Sequence, residues 1–184
     1  RPAAADVIDV PVVNRAFSQF MLGSDRRIFG KLEFLGGISY TSSTNLLGSI
    51  SAIRFRDDRE HFVTVLDTGH WLTGRIERDA EGRLSGITDV KTRSMFDRNG
   101  QDERVKNRMD AEGLALVDGE ALVSFEVYHR IDAYPDPGFM EARPKRRIPF
   151  LIEPKELRFN RGMETLALSP AAGPLGAALV TVTE

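Results

Sequence analysis

Glu112 and Glu164 occupy matching places in two look-alike segments, Asp110-Ala111-Glu112-Gly113-Leu114-Ala115 and Gly162-Met163-Glu164-Thr165-Leu166-Ala167. A third copy, Ser49-Ile50-Ser51-Ala52-Ile53-Arg54, carries Ser51 where the other two carry a carboxylate. Each copy is followed by a turn and a second apolar run that ends in an acid: Asp67 after HFVTVL, Glu126 after ALVSF and Glu184 after ALVTVT. Repeated positions of a repeated fold lie at similar height around one axis, so these acids converge at one mouth of it. Several oxygen ligands together suit a hard divalent cation, above all Ca²⁺, and such an ion bridges a phosphate or activates water. The candidate metal ligands are therefore Asp67, Glu112, Glu126, Glu164 and Glu184, and Glu112 and Glu164 are also the candidate catalytic acid/base groups. The plainer alternative is that each carboxylate caps backbone N–H groups or pairs with Arg54, Arg130 or Arg161, holding adjacent units together.

A basic stretch follows: Arg143, Lys145, Arg146, Arg147, Lys155, Arg158 and Arg161 against Glu153 and Glu156. Guanidinium forks match phosphate oxygens, and Arg161, beside the Glu164 segment, and Arg130, after the Glu126 strand, are the candidate substrate-binding residues. A charge run of this kind also reads as a solvated loop. Asp97, Asn99 and Asp102 surround a turn without the spacing of a calcium-binding EF-hand. His61, His70 and His129 show no paired zinc spacing. Neither the GxSxG elbow of a serine hydrolase nor a GxxxxGK[ST] phosphate loop occurs.

The elements that position these groups read as strands. No window sustains apolar residues at helical spacing, and the best helical window, 14–22, is short and ends at Gly23. Residues 28–40, 62–66, 121–125 and 178–183 are β-branched or aromatic runs of strand length. Glu81-Gly82, Asn99-Gly100, Asp118-Gly119, Asp136-Pro137-Gly138 and 170–174 between them carry turn chemistry. Outer strands at 71–78 and 84–90, and at 129–134 and 148–152, complete four strands in each of the first two units. The repeat interval is 61 residues (51 to 112) and then 52 (112 to 164). That spacing predicts an all-β chain of four-stranded antiparallel blades of the β-propeller type, with a sandwich as the alternative. About three blades fit, and propellers close with roughly 4–8. The ring is incomplete in this chain, and a C-terminal continuation or another chain is expected to supply the rest. Residues 1–184 form one partial propeller domain in this reading, with 1–27 as a lead-in segment.

The succession Phe34-Leu35-Gly36-Gly37-Ile38, Gly48-Ser49-Ile50-Ser51-Ala52-Ile53, Leu66-Asp67-Thr68-Gly69, DAEGLA at 110–115, Val123-Ser124-Phe125-Glu126 and NRGMETLA at 160–167 resembles the phytase-like family described by an esterase-like activity. The resemblance runs from Ile28 onward in the family's order. It implies the N-terminal half or slightly more of a β-propeller of roughly twice this length. It also implies periplasmic or secreted location after removal of a signal peptide, and hydrolysis of phosphate or other esters, with a Ca²⁺ role by analogy to calcium-dependent propeller phytases. A non-catalytic propeller that binds a ligand or protein at the same mouth is the alternative.

The 184 residues suffice for one domain. With 25 Lys+Arg against 27 Asp+Glu the net charge is −2, which gives no general footprint for nucleic acid. Cysteine is absent, removing disulfides and thiolate chemistry. No apolar run reaches the ~18–20 residues of a membrane span, and the partner that the phytase-like resemblance implies is a small-molecule phosphate or other ester.

Overall fold

A computed structural model describes residues 6–101, 108–159 and 161–183. The candidate ligand Glu184 and the turn residue Asp102 lie outside the described residues. The chain is all-β. Its strands are β1 (Ile8–Asp9), β2 (Val13–Phe17), β3 (Ile28–Phe29), β4 (Leu32–Glu33), β5 (Gly37–Thr41), β6 (Ile50–Phe55), β7 (His61–Leu66), β8 (His70–Arg78) and β9 (Leu84–Ser94), then β10 (Ala111–Val117), β11 (Glu120–Phe125), β12 (Arg130–Pro135), β13 (Arg146–Ile148), β14 (Ala167–Leu168) and β15 (Leu179–Val180). β6 to β9 and β10 to β13 form two consecutive antiparallel meanders of four strands, and β1 adds a fifth strand beside β9. The remaining strands pair as β2–β5, β3–β4 and β14–β15. Among the described residues the sheets stay separate and do not close on themselves. No helix among them is long and apolar enough to cross a membrane.

The middle strands read as continuous apolar runs because both of their faces are buried. In β7, Phe62 and Leu66 point into a core shared with Val10, Leu72, Ile76 and Val90. Val63 and Val65 point the opposite way, as strand alternation requires, into a core shared with Leu114, Val123, Phe125 and Tyr134 of the second sheet. β11 repeats the arrangement: Val123 and Phe125 face the first sheet, and Leu122 joins Ile131, Met163 and Leu166 on the other side. The cores therefore alternate with the sheets like filling between layers. Trp71 anchors the central core, fully buried, edge-on to Tyr134 at 5.1 Å and tilted against Phe139 at 4.6 Å. At the opposite end from the carboxylates, Arg56 forks onto Asp136 and pins the first sheet to the second.

Some strands depart from the sequence expectation. The best helical window contributes a strand, β2, because pairing with β5 along five residues outweighs weak local propensity. The run at 28–40 splits into three strands because Gly30, at φ 63°, turns the chain between β3 and β4. The last strand of the second sheet is set at 146–148 rather than 148–152, since Pro149 offers no N–H to continue the ladder.

Candidate functional site

The site is built by a defect repeated in two sheets. β6 pairs Ile50 with Leu66 and then Ala52 with Val65, so Ser51 is an extra residue; β10 pairs Ala111 with Phe125 and then Gly113 with Ser124, so Glu112 is extra. Such β-bulges unpair one residue and re-aim its side chain. The repeat noticed in the sequence is thus a repeat of bulges. Gly113 follows, and a Cβ there would meet Ser124 Oγ at 2.5 Å and the Leu166 backbone N at 2.8 Å. Its missing side chain lets the third segment approach β10 closely, which brings Glu164 toward Glu112.

Three carboxylates converge here. One oxygen each from Asp110, Glu112 and Glu126 lie within 4.8 Å of one another, with Asp110 and Glu126 buried and Glu112 half-buried. Asp110 and Glu126 face each other where the β10–β11 ladder ends, the Glu126 N–H donating to the Asp110 carbonyl at 2.8 Å. Glu126 Oε1 also accepts the Gly162 N–H at 2.6 Å. Ser51 donates its hydroxyl to Glu112. Burial, then the charges of Asp110 and Glu164, push the Glu112 carboxyl up from 4.5 to about 7, and the Ser51 hydrogen bond only partly opposes them. Glu112 is therefore linked to both of its repeat equivalents, to Ser51 by a hydrogen bond and to Glu164 through charge.

Oxygens that share one Ca²⁺ sit about 2.3–2.6 Å from it and so cannot lie more than about 5 Å apart, and this set satisfies that limit with oxygen donors alone. The donor chemistry fits a hard divalent cation. Glu164 is half-buried beside the trio through its effect on Glu112. Asp67, half-buried after β7, stands outside the trio. Asp110 is the member that sequence reasoning missed. Its signal was present in DAEGLA, where it reads as an ordinary polar residue before a strand.

The arginines separate by environment. Arg130 is buried: its Nε donates to Asp132 at 2.8 Å and its terminal nitrogens to the carbonyls of Tyr128 at 3.0 Å and Arg108 at 2.7 Å, over the Phe125 ring. Arg161 is exposed, one residue before the Gly162 N–H that Glu126 holds. Asp97 closes its own turn by accepting the N–H groups of Asn99 and Gln101 at 2.8 Å each. The histidines take separate partners, His61 with Asp58, His70 with Ser94 and His129 with the Arg158 carbonyl.

Residues 45–184, which contain all three repeat copies and the carboxylate trio, match the phytase-like family, described as an esterase-like activity of phytase. The chain belongs to the phytase-like family. The match carries a hydrolase-type function with ester or phosphate substrates. No curated protein and no solved structure matches the chain.

Proposed function

We propose that this phytase-like chain is the carboxylate-bearing part of an exported, metal-assisted hydrolase of small phosphate esters, working at the mouth of a propeller channel. The observation that carries the reading is the convergence of Asp110, Glu112 and Glu126 within 4.8 Å. In this reading the meanders β6–β9 and β10–β13 are blades, and the first strands of successive units line the channel. The rest of the ring comes from a continuation of the polypeptide or from another chain.

Asp110, Glu112 and Glu126 would hold the ion, with Glu164 beside them and with Asp67, after β7, as an outer acid. A bound Ca²⁺ or similar ion supplies Lewis-acid polarisation of an ester oxygen. The protein's own groups do the remainder. In the absence of the ion, burial and neighbouring charges hold the Glu112 carboxyl up to about 7, so taking up the ion near neutral pH would release its proton, and Ser51 orients the carboxylate. Glu164 is the second acid/base candidate. Arg161, exposed next to Gly162, is the phosphate contact. Arg130 contributes by holding the turn that carries Tyr128, through its bonds to Asp132 and to the Tyr128 carbonyl.

The test is phosphate release from inositol hexakisphosphate and from an aryl phosphate, with added Ca²⁺ and with chelator, for the wild type, Glu112→Gln and Glu164→Gln. Chelator-sensitive release that both substitutions reduce by 100-fold or more is the expected result. Unchanged turnover in both variants would remove the assignment, and saturable ester binding without turnover would make the site a binding module.

A further inference from the structure

A second feature opens at the same end of the second sheet, on the other side of the Glu126–Arg130 turn. It is a cleft of about 660 Å³ whose described walls carry five cations, Arg98, Arg108, Arg130, Arg147 and Lys155, against two carboxylates, Asp97 and Asp132, with Arg108 and Arg130 already partnered. The chain as a whole has a net charge of −2, so among the described residues this excess is local. Both carboxylates are already committed. Asp97 spends its oxygens on its own turn, on the N–H groups of Asn99 and Gln101 and the Asn99 amide. Asp132, its side chain only 3 % exposed, bridges two guanidiniums: Oδ2 accepts from Arg130 Nε at 2.8 Å and Oδ1 from Arg147 Nε at 3.1 Å.

The two arginines of this bridge differ. Arg130 has its terminal nitrogens tied to backbone carbonyls and serves as the buried support. Arg147 gives Asp132 only its Nε, and its side chain is 48 % exposed. Its two terminal nitrogens thus form a fork held in place from behind, the geometry that pairs with an oxyanion. The wall is also strained: Val127, a β-branched residue, sits at φ 60° between Glu126 and Tyr128, whose N–H donates to the Glu126 carbonyl at 2.6 Å. Backbone strain of this kind concentrates at binding sites.

We propose that this cleft is an anion-binding site, separate from the carboxylate trio, for a small molecule carrying two or more oxyanion groups, with Arg147 and Arg98 as its principal contacts. Its volume falls in the range of about 300–1,000 Å³ usual for small-molecule sites. The charge balance disfavours neutral ligands and cations alike. Because none of its lining residues belongs to the trio, it binds without metal.

Titration calorimetry of the chain in chelator, at physiological salt, tests this with pyrophosphate, a tricarboxylate and an uncharged polyol. Pyrophosphate is expected to bind and the polyol not to. Arg147→Ala and Arg98→Ala should each weaken pyrophosphate at least tenfold, and Glu112→Gln should leave it unchanged. Tricarboxylate binding comparable to pyrophosphate assigns general oxyanion recognition; pyrophosphate alone assigns phosphate recognition. No pyrophosphate binding, or binding that both arginine variants retain, overturns the proposal. Binding that appears only with Ca²⁺ and disappears in Glu112→Gln also overturns it, by placing the anion at the trio. Hydrolysis that fails while chelator-resistant binding persists would refute the proposed function and leave this site standing.

Discussion

Replacing Glu112 by Gln should stabilise the metal-free protein at alkaline pH while removing its proposed activity. The carboxyl titrates near 7 in the folded chain against 4.5 ordinarily, so the folded state binds more protons between those values. Stability contributed by this group therefore falls as pH rises from 4.5 to 7 and stays low above 7. At about 1.4 kcal/mol per pH unit the displacement has an upper bound of about 3.5 kcal/mol. Glu112 is only half-buried, and screening by solvent reduces this to about 1–2 kcal/mol. Gln keeps an acceptor for the Ser51 hydroxyl and carries no charge. Urea denaturation in chelator should show Glu112→Gln more stable than wild type by about 1–2 kcal/mol at pH 8 and by at most about 0.5 kcal/mol at pH 5. A Gln variant less stable than wild type at pH 8, or a difference independent of pH, would refute the reasoning that the trio crowds negative charge.

Added Ca²⁺ should raise the unfolding temperature of the wild type at pH 8, following the usual dependence on ligand concentration over Kd, and raise it far less in Asp110→Asn. Gly113→Ala forces a Cβ to within 2.8 Å of the Leu166 backbone and should cost about 1–3 kcal/mol, read by denaturant midpoint. Trp71→Ala empties the centre of the core between the two sheets and should cost about 3–5 kcal/mol. Glu126→Ala should lose stability relative to Glu126→Gln by about 1–3 kcal/mol in chelator, because only Gln keeps an acceptor for the buried Gly162 N–H. Equal stability of those two variants would show that the Gly162 contact does not hold the third segment.

The parts of this molecule that a sequence displays are those its repeat enforces. Ser51, Glu112 and Glu164 are visible as equivalents because each opens a short strand with the same spacing of apolar residues, and the structure brings these three together. Asp110 was not visible as a ligand, because its closeness to Glu126 depends on where the β10–β11 ladder stops, and ladder ends leave no periodic trace. Arg130 looks like a free cation beside Glu126. Yet Asp132 lies two residues on in the same strand, hence on the same face, and that spacing was a readable sign that the guanidinium is paired internally. The anion cleft draws Arg98 from the loop after β9, Arg147 from strand β13 and Lys155 from the connection after it, and no local pattern joins them. The bounds of β2 within 14–22 were not legible, because its partner strand β5 pairs with it from twenty residues or more away.

Glu126 shows why the carboxylates need not be either structural or chemical. One of its oxygens receives the N–H that begins the third segment, while the residue also belongs to the trio beside Asp110 and Glu112. The seam between units and the candidate metal centre are therefore the same group of atoms. Glu112 differs: it projects from a bulge, outside the backbone pairing that fixes its neighbours, and its only described hydrogen bond comes from the equivalent position of the first unit. A bulge residue can be re-aimed or replaced without unpairing a strand, whereas an acid that holds the next segment cannot. Chemistry that must tolerate changes of charge is best carried by the former, and the electrostatic crowding on Glu112 is what a site holding carboxylates in readiness for a cation would show in the cation's absence.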